Sequence, residues 1–322
     1  MKPVLSIIMA AHNNQKTIKR CIDSFYALHT NLLVEILCID DHSTDQTLSI
    51  VREYPQIKLF FSTKRGLSAS RNEGIKKASG KYLWFIDCDD ELLVNSVNEH
   101  FLQELSKGKK DLYLLGVKKI YKRGSQLVVN SSTTTYDLKK DNTVKNIFEE
   151  NIFNCSWNKI YRRQLILEHH LQFADVSSVE DAIFNCDYLP YAQTICTVSR
   201  VFYCFYVYSQ TSTKRSWRPD ALDASLKMMK KLKQLEQQSL LVSRNLIAIN
   251  GINTVINNAF NMLIKSPSLN FKNFHQEWRS KEMKSLRSDC HLLFDNYQYL
   301  MKYFITQSSL LCYWYIHHAL RN

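Results

Sequence analysis

The sequence predicts an α/β protein with a mainly parallel central sheet, helices on both of its faces, and a helical C-terminal extension. Four apolar runs, VLSIIMAA (4–11), VEILCID (34–40), IKLFFS (57–62) and YLWFI (82–86), alternate with segments of helical spacing. Runs that are apolar throughout, rather than at every second position, belong to strands buried on both faces, which is the pattern of a covered parallel sheet. Each run also ends in polar residues: His12-Asn13, Asp40-Asp41, Thr63-Lys64-Arg65 and Asp87-Cys88-Asp89. From Pro219 onward the character changes to apolar residues at three- and four-residue spacing.

The elements follow in order. Ile18, Cys21, Ile22, Phe25 and Leu28 predict a helix over 15–28. Ser43-x-x-Gln46 resembles a capping box, opening a helix that carries Leu48 and Val51 on one face. A third helix over 67–78 stops before Gly80. Residues 111–121 and 126–136 read as a hairpin turned at Arg123-Gly124-Ser125, and 193–209 reads as two further aromatic-rich strands. Residues 220–238 and 240–264 read as helices.

Composition narrows the class. A chain of 322 residues with 45% hydrophobic and 12% aromatic content can bury a sizeable core. No run of 18 apolar residues predicts a membrane span. The N-terminal apolar run reads as a buried strand rather than a leader, because it lacks a small-residue cleavage pattern. Nine scattered cysteines, none in a CxxC pair, fit ordinary core thiols in a reducing, cytoplasmic setting. The net charge of +12 suggests an anionic partner. A nucleic-acid-binding protein is one reading of that charge, but the basic residues are dispersed and no RRM, zinc or helix-turn-helix signature is present, so no nucleic acid is expected.

In open α/β sheets ligands bind beyond the carboxyl ends of the strands. The Asp pairs at 40–41 and 87–89 therefore meet at one edge, and so much negative charge requires a cation. Hard oxygen donors suit Mn²⁺ or Mg²⁺ shared with a substrate's phosphates. With seven glycines, no GxGxxG and no GxxxxGK[ST], the chain lacks the backbone devices for cradling phosphate. Metal and cationic side chains must then hold it, as in a sugar-nucleotide transferase. A nucleotidyltransferase is the competing enzyme class. It usually opens with a Gly-rich basic loop after the first strand, and AAHNNQKT has no Gly.

The stretches LSIIMAAHNN, CIDDHSTDQT, GLSASRNEGIKKASGKYLWFIDCDD and VEDAIF resemble family 2 glycosyltransferases of the GT-A (Rossmann-like) fold, of the bacterial polysaccharide type. The resemblance is close over about residues 3–90 and looser to about 210. Two positions depart from it: Ala-Ala-His-Asn stands where Pro-x-Tyr-Asn is usual, and His42 stands for the Gly of Asp-Asp-Gly-Ser. Gly tolerates positive φ and His does so less readily, which puts the local turn in question.

The resemblance implies an inverting transfer of a hexosyl or N-acetylhexosaminyl group. The donor is a nucleotide sugar, most simply a UDP-sugar, and the acceptor is a hydroxyl of a saccharide or lipid-linked saccharide. It implies a catalytic domain over 1–215, with donor half 1–90 and acceptor half 91–215, and an extension over 216–322. Asp40 and Asp41 would meet the nucleobase, Ala11 and Asn13 would line the base and ribose, and Arg71 would lie near the base or diphosphate. Asp87 would contact the ribose and Asp89 would ligate the metal. Asp90 and Glu91 read as the start of the next loop, outside the metal shell. Asp181 would be the general base, with Glu180 orienting backbone or touching the acceptor.

Plainer readings stand beside these. Arg71 also fits a helix-surface cation, and Glu180 and Asp181 fit an acidic first helical turn favoured by the macrodipole. Asp45 reads as such a first-turn residue rather than a ligand. Trp157 fits sugar stacking or core packing, and Lys159 fits a phosphate contact. Lys214 and Arg215 carry charge suited to a diphosphate. The tail YFITQSSLLCYWYIHHAL, between Lys302 and Arg321, fits the inner face of an anionic plasma membrane, a core helix, or a homodimer contact.

Overall fold

The computed structural model describes residues 2–26, 28, 33–93, 95–129, 132–138, 140, 153–207, 220–238 and 254. The expected helix over 240–264, the basic segment with Lys214 and Arg215, and the aromatic tail lie outside the described residues. The chain divides into two compact units. One comprises 1–141, 155–175 and 187–212, and the other 142–154, 176–186 and 213–322.

The first unit opens with β1 (Leu5–Ala11), α1 (Ile18–Asp23), β2 (Val34–Asp40), α2 (Thr47–Arg52), β3 (Lys58–Phe61), α3 (Leu67–Lys77) and β4 (Tyr82–Asp87). β1 pairs in parallel with both β2 and β4, and β2 pairs in parallel with β3. β1, β2 and β4 are almost wholly buried, as their unbroken apolar runs require. β3 is the edge strand and its Phe61 is exposed.

The sheet continues through β5 (Glu91–Leu92), β6 (Leu112–Ile120), β7 (Ser125–Val128), β8 (Thr134–Asp137), β9 (Lys159–Arg162) and β10 (Thr194–Tyr206). The strand order is β3-β2-β1-β4-β9-β6-β10-β5, with β7 added to β6 and β8 to β10. β9 runs antiparallel to both β4 and β6, so β4 and β6 point the same way, and β10 is parallel to β6. Helix α4 (Glu99–Lys107) is capped at its start by Asn98, whose side chain accepts from Phe101 N. Helix α5 (Arg163–Glu168) follows β9 directly. A core that includes Trp84, Phe101, Tyr113, Ile160 and Phe202 lies against the sheet.

A buried Glu35 on β2 fixes the opening strands in register. Its carboxylate accepts from Ser6 Oγ at 2.6 Å, Ser79 N at 2.6 Å, Gly80 N at 3.1 Å and Lys58 Nζ at 2.8 Å. Helix α3 lies so close to β1 that a Cβ at Gly74 would run into the Ile8 side chain.

Four expectations are corrected. The first helix spans only Ile18–Asp23; beyond it Phe25 N donates to Ile22 O and Leu28 N to Phe25 O, each three residues back, and Ser24 Oγ turns back onto Cys21 O. Ser43 and Gln46 do not form a capping box. Asp45 accepts from Thr47 N instead, and Ser43 Oγ accepts from Asn13 N. The segment 126–136 is two strands, β7 in the hairpin and β8 on β10. The segment 193–209 is one long strand with irregular register between Thr197 and Tyr203 rather than two.

In the second unit, α6 (Glu180–Tyr188, whose last two residues belong to the first unit) begins with the two acidic residues. Ala182, Ile183, Phe184 and Cys186 are buried. Helix α7 (Ala221–Gln238) buries Ala224, Met228, Met229, Leu232 and Leu235, the spacing of one apolar face. Among the described residues no helix is long and apolar enough to cross a membrane. The seven described cysteines are free thiols, and all but Cys155 are buried.

Candidate active site

The register of the parallel strands brings their polar ends to one edge. Ala11 pairs with Asp40, Asp40 with Phe61, and Ala10 with Asp87. The loops beyond β1 and β2 are laced together. Asn13 N donates to Ser43 Oγ at 3.1 Å, Asn13 Oδ1 accepts from Thr44 N at 2.8 Å, and His12 Nδ1 donates to Asp41 O at 2.6 Å. Asn13 and His42 both hold positive φ, +52° and +57°. His42 therefore adopts the left-handed turn for which glycine is the usual residue.

Asp40 and Asp41 are buried at this edge. Asp40 Oδ2 accepts from Ser43 N at 3.1 Å, while its Oδ1 is buried with no hydrogen-bond partner. Asp41 Oδ2 accepts from Gly66 N at 2.8 Å, which ties the loop before α3 to the end of β2. Gly66 sits at φ +110°, a conformation that favours glycine. Ala11 is buried beside them.

The end of β4 gathers the carboxylates. Oxygens of Asp87, Asp89 and Asp90 all lie within 4.8 Å of one another. Arg71 on α3 is 2% exposed and donates from Nη2 to Asp87 Oδ1 at 2.8 Å, with its guanidinium 5.2 Å from the Phe173 ring. It is thus a buried ion-pair residue and not a helix-surface cation. Asn72 beside it makes a reciprocal pair with the Phe173 backbone, at 2.9 and 2.8 Å, and so holds that ring in place.

Asp90 is fully buried and accepts from Tyr203 OH and from Tyr206 N, each at 2.8 Å. Burial, and then the charges of Asp89 and Asp87, push its carboxyl well above the ordinary range. The expectation that Asp90 merely starts a loop is corrected: its carboxylate is part of the acidic cluster. Its signal in the sequence was the third Asp of DCDD, but the partners that bury it lie 113 and 116 residues away. Glu91 does stand apart, joined to Arg20 Nε at 2.5 Å and to Tyr206 OH at 2.9 Å. Arg20, not singled out in the sequence, also donates to Asp89 O at 2.7 Å and pins this loop.

The donor set fits a hard divalent cation. Oxygen ligands at 2.0–2.6 Å from an ion stand at most about 4–5 Å apart across it, and the three carboxylates meet that limit. Beneath them lie two thiols. Cys21 Sγ points at Asp87 O and Cys88 Sγ at Ala10 O. Burial pushes both thiols well above their ordinary range, helped at Cys21 by the neighbouring carboxylates and at Cys88 by the neighbouring thiols and then Asp87 and Asp89.

Two expected acceptor residues are packed inside the first unit. Trp157 is 6% exposed and stacked on Tyr203 and Phe205, with centroids 4.8 and 5.1 Å apart. Lys159 is 1% exposed, and its ammonium donates to Cys155 O and Asn158 Oδ1. Neither presents the surface that a sugar or phosphate contact needs. In the second unit, Glu180 and Asp181 occupy the first turn of α6, where the helix dipole favours negative charge, and Asp181 is 9% exposed.

Comparison with known proteins agrees with this geometry. EpsH of Bacillus subtilis (strain 168) is 27% identical over 221 residues, 66% of this chain and 63% of its own length. The poly(ribitol-phosphate) beta-N-acetylglucosaminyltransferase TarP of Staphylococcus aureus (strain N315) is 29% identical over 201 residues, 59% of this chain and 58% of its own. The chain thus spans less than two thirds of the length of these relatives. The crystal structure of S. aureus TarS 1-349 in complex with UDP-GlcNAc superposes with a TM-score of 0.64 at 16% identity, covering 99% of this chain and 91% of that one. This likeness shows the GT-A fold. The Glycosyl transferase family 2 profile matches residues 6–169, which contain the laced loops, the Asp pair of β2 and the carboxylate cluster of β4. With just over half its length covered by that match, the chain belongs to glycosyl transferase family 2.

Proposed function

We propose that this protein is an inverting glycosyltransferase of cell-surface polysaccharide synthesis. It would move a hexosyl or N-acetylhexosaminyl group from a UDP-sugar to a hydroxyl of a saccharide or lipid-linked saccharide. The observation that carries the reading is the convergence of Asp40, Asp41, Asp87, Asp89 and Asp90 on one strand edge, with the buried Arg71 among them. The names of the relatives support the substrate class: TarP is a poly(ribitol-phosphate) beta-N-acetylglucosaminyltransferase, and TarS has been crystallised with UDP-GlcNAc.

In this reading Asp40 and Asp41 receive the base, Ala11 and the Asn13 turn line the base and ribose, and Arg71 holds Asp87 in orientation toward the ribose. Asp89, with Asp87 and Asp90 beside it, would hold Mn²⁺ or Mg²⁺. Such an ion supplies charge stabilisation to a diphosphate leaving group. Asp181 takes the proton of the attacking hydroxyl, which approaches from the face opposite the leaving group and so inverts the anomeric carbon.

The test is a panel of nucleotide sugars with Mn²⁺, read first by melting temperature and then by release of the nucleoside diphosphate. UDP-sugars should stabilise and turn over. Asp89→Asn should keep the fold and lose on the order of a hundredfold or more in transfer, and EDTA should inactivate the wild type reversibly. Full activity in chelator removes the metal from the reading, and stabilisation by no nucleotide sugar removes the activity.

A further inference from the structure

The β6–β7 hairpin has no place in the chemistry above, yet it is built unlike the rest of the sheet. Register gives its position. Trp84, Ile160 and Tyr113 stand on one level across β4, β9 and β6. Asp87 is therefore level with Gly116, three residues on in each strand. β6 runs four residues further, to Ile120, which at about 3.3 Å per residue is about 13 Å. Gly124, at φ +85°, closes the turn, and Tyr121 N donates to Gly124 O at 3.1 Å. The hairpin thus overhangs the edge where the carboxylates gather.

Its composition is one-sided. Between Val117 and Val129 there are four cations, Lys118, Lys119, Lys122 and Arg123, and no carboxylate. Among the described residues none of the four forms an ion pair. Residues 121–127 are exposed throughout, and two of them are large and apolar: Tyr121 at 38% and Leu127 at 63%. Leu127 stands opposite Lys118 in the ladder, so a bare apolar side chain and a cation share one face. Val207, which donates its N–H to Ile120 O, adds a third exposed apolar group at 40%.

We propose that the overhanging β6–β7 hairpin docks the catalytic edge onto an anionic lipid surface, with the four cations meeting headgroups and Tyr121 and Leu127 entering the interface. Apolar groups ringed by Lys and Arg are the chemistry of interfacial binding to anionic bilayers. A purely electrostatic partner such as nucleic acid gives no reason for an exposed leucine paired directly with a lysine. The proposal takes its purpose, reaching a lipid-linked acceptor, from the function proposed above. Its test does not depend on that function, because vesicle binding is read without donor or turnover.

The full chain is sedimented with phosphatidylcholine vesicles and with vesicles containing phosphatidylglycerol. Binding is expected only to the anionic vesicles and should weaken as salt rises. Each cation near such a surface contributes about a fivefold change in partitioning. Lys122→Gln with Arg123→Gln in the turn should thus lower binding about 25-fold, and replacing all four several hundredfold. Leu127→Ser should weaken binding while leaving its salt dependence unchanged. The turn variant alters only exposed side chains, so its melting temperature should match wild type and keeps the test informative if the fourfold variant misfolds. Equal binding to neutral vesicles, no binding to either, or unchanged binding by the turn variant overturns the proposal. So does cation-dependent retention on a single-stranded oligonucleotide without vesicle binding.

Discussion

Replacing Arg71 with Met gives the sharpest test of how the carboxylate edge is held together. Met keeps most of the apolar stem and removes only the guanidinium. Breaking a fully buried ion pair costs about 3–5 kcal/mol. The Asp87 side chain, however, is 30% exposed, so water compensates part of the loss. That brings the cost toward one charge-assisted hydrogen bond, about 2 kcal/mol, with up to about 1 kcal/mol more for the contact with Phe173. For a unit of this size, 2–3 kcal/mol lowers Tm by about 4–12 °C. A second effect has the opposite dependence on metal. Without the guanidinium, Asp87 stands beside Asp89 and Asp90 with less positive charge nearby, so a divalent cation has more repulsion to relieve. Mn²⁺ should therefore raise the Tm of Arg71→Met by more than it raises that of the wild type. Thermal melts of both proteins with Mn²⁺ and with EDTA measure both effects. A variant that melts within about 1 °C of wild type, with the same Mn²⁺ response, would show that Arg71 neither holds Asp87 nor balances the cluster.

Asp181→Asn should bind UDP as the wild type does yet transfer sugar on the order of a hundredfold more slowly; a collapse of UDP affinity with turnover retained assigns Asp181 to the donor side instead. Glu35 offers a pH test. Burial alone would raise its carboxyl, but hydrogen bonds from Lys58, Ser6 and Ser79 outweigh burial and hold it below the ordinary value. The unfolded chain therefore takes up the proton first as pH falls. The stabilisation is complete above the ordinary glutamate value of about 4.3 and fades below it. Glu35→Gln should melt lower than wild type at neutral pH, and the gap should narrow in melts below pH 4; a constant gap sinks the assignment. Gly74→Ala should cost about 1–3 kcal/mol in urea unfolding, because its methyl would run into the buried side chain of Ile8, which is branched at Cβ and stiff.

The parallel half of the sheet was legible because its strands are buried on both faces, and burial on both faces leaves an unbroken apolar run. The carboxylate edge was legible for a related reason: Asp40, Asp41, Asp87 and Asp89 each follow such a run directly, so the strand that carries them also aims them. What the sequence concealed depends on distant partners. Asp90 looks like a loop residue until Tyr203 and the Tyr206 backbone close over it. Lys159 looks like a phosphate ligand until Asn158 and the Cys155 carbonyl hold its ammonium inside. Ser43 and Gln46 have the spacing of a capping box, but the Asn13 turn, 30 residues earlier, claims the Ser43 hydroxyl. The overhang of the β6–β7 hairpin became measurable only through the antiparallel β9, whose register ties β6 to β4.

The thiols under the carboxylate edge give this protein a built-in reporter. Cys21 and Cys88 are buried against the backbone of Asp87 and Ala10, and both are held in the neutral, unreactive form. An alkylating reagent can reach them only when the ends of β1 and β4 part. Their labelling rate therefore counts openings of the carboxylate edge, one residue at a time by mass spectrometry and without an engineered probe. Occupancy of that edge by a nucleotide and its cation should slow the labelling of this pair.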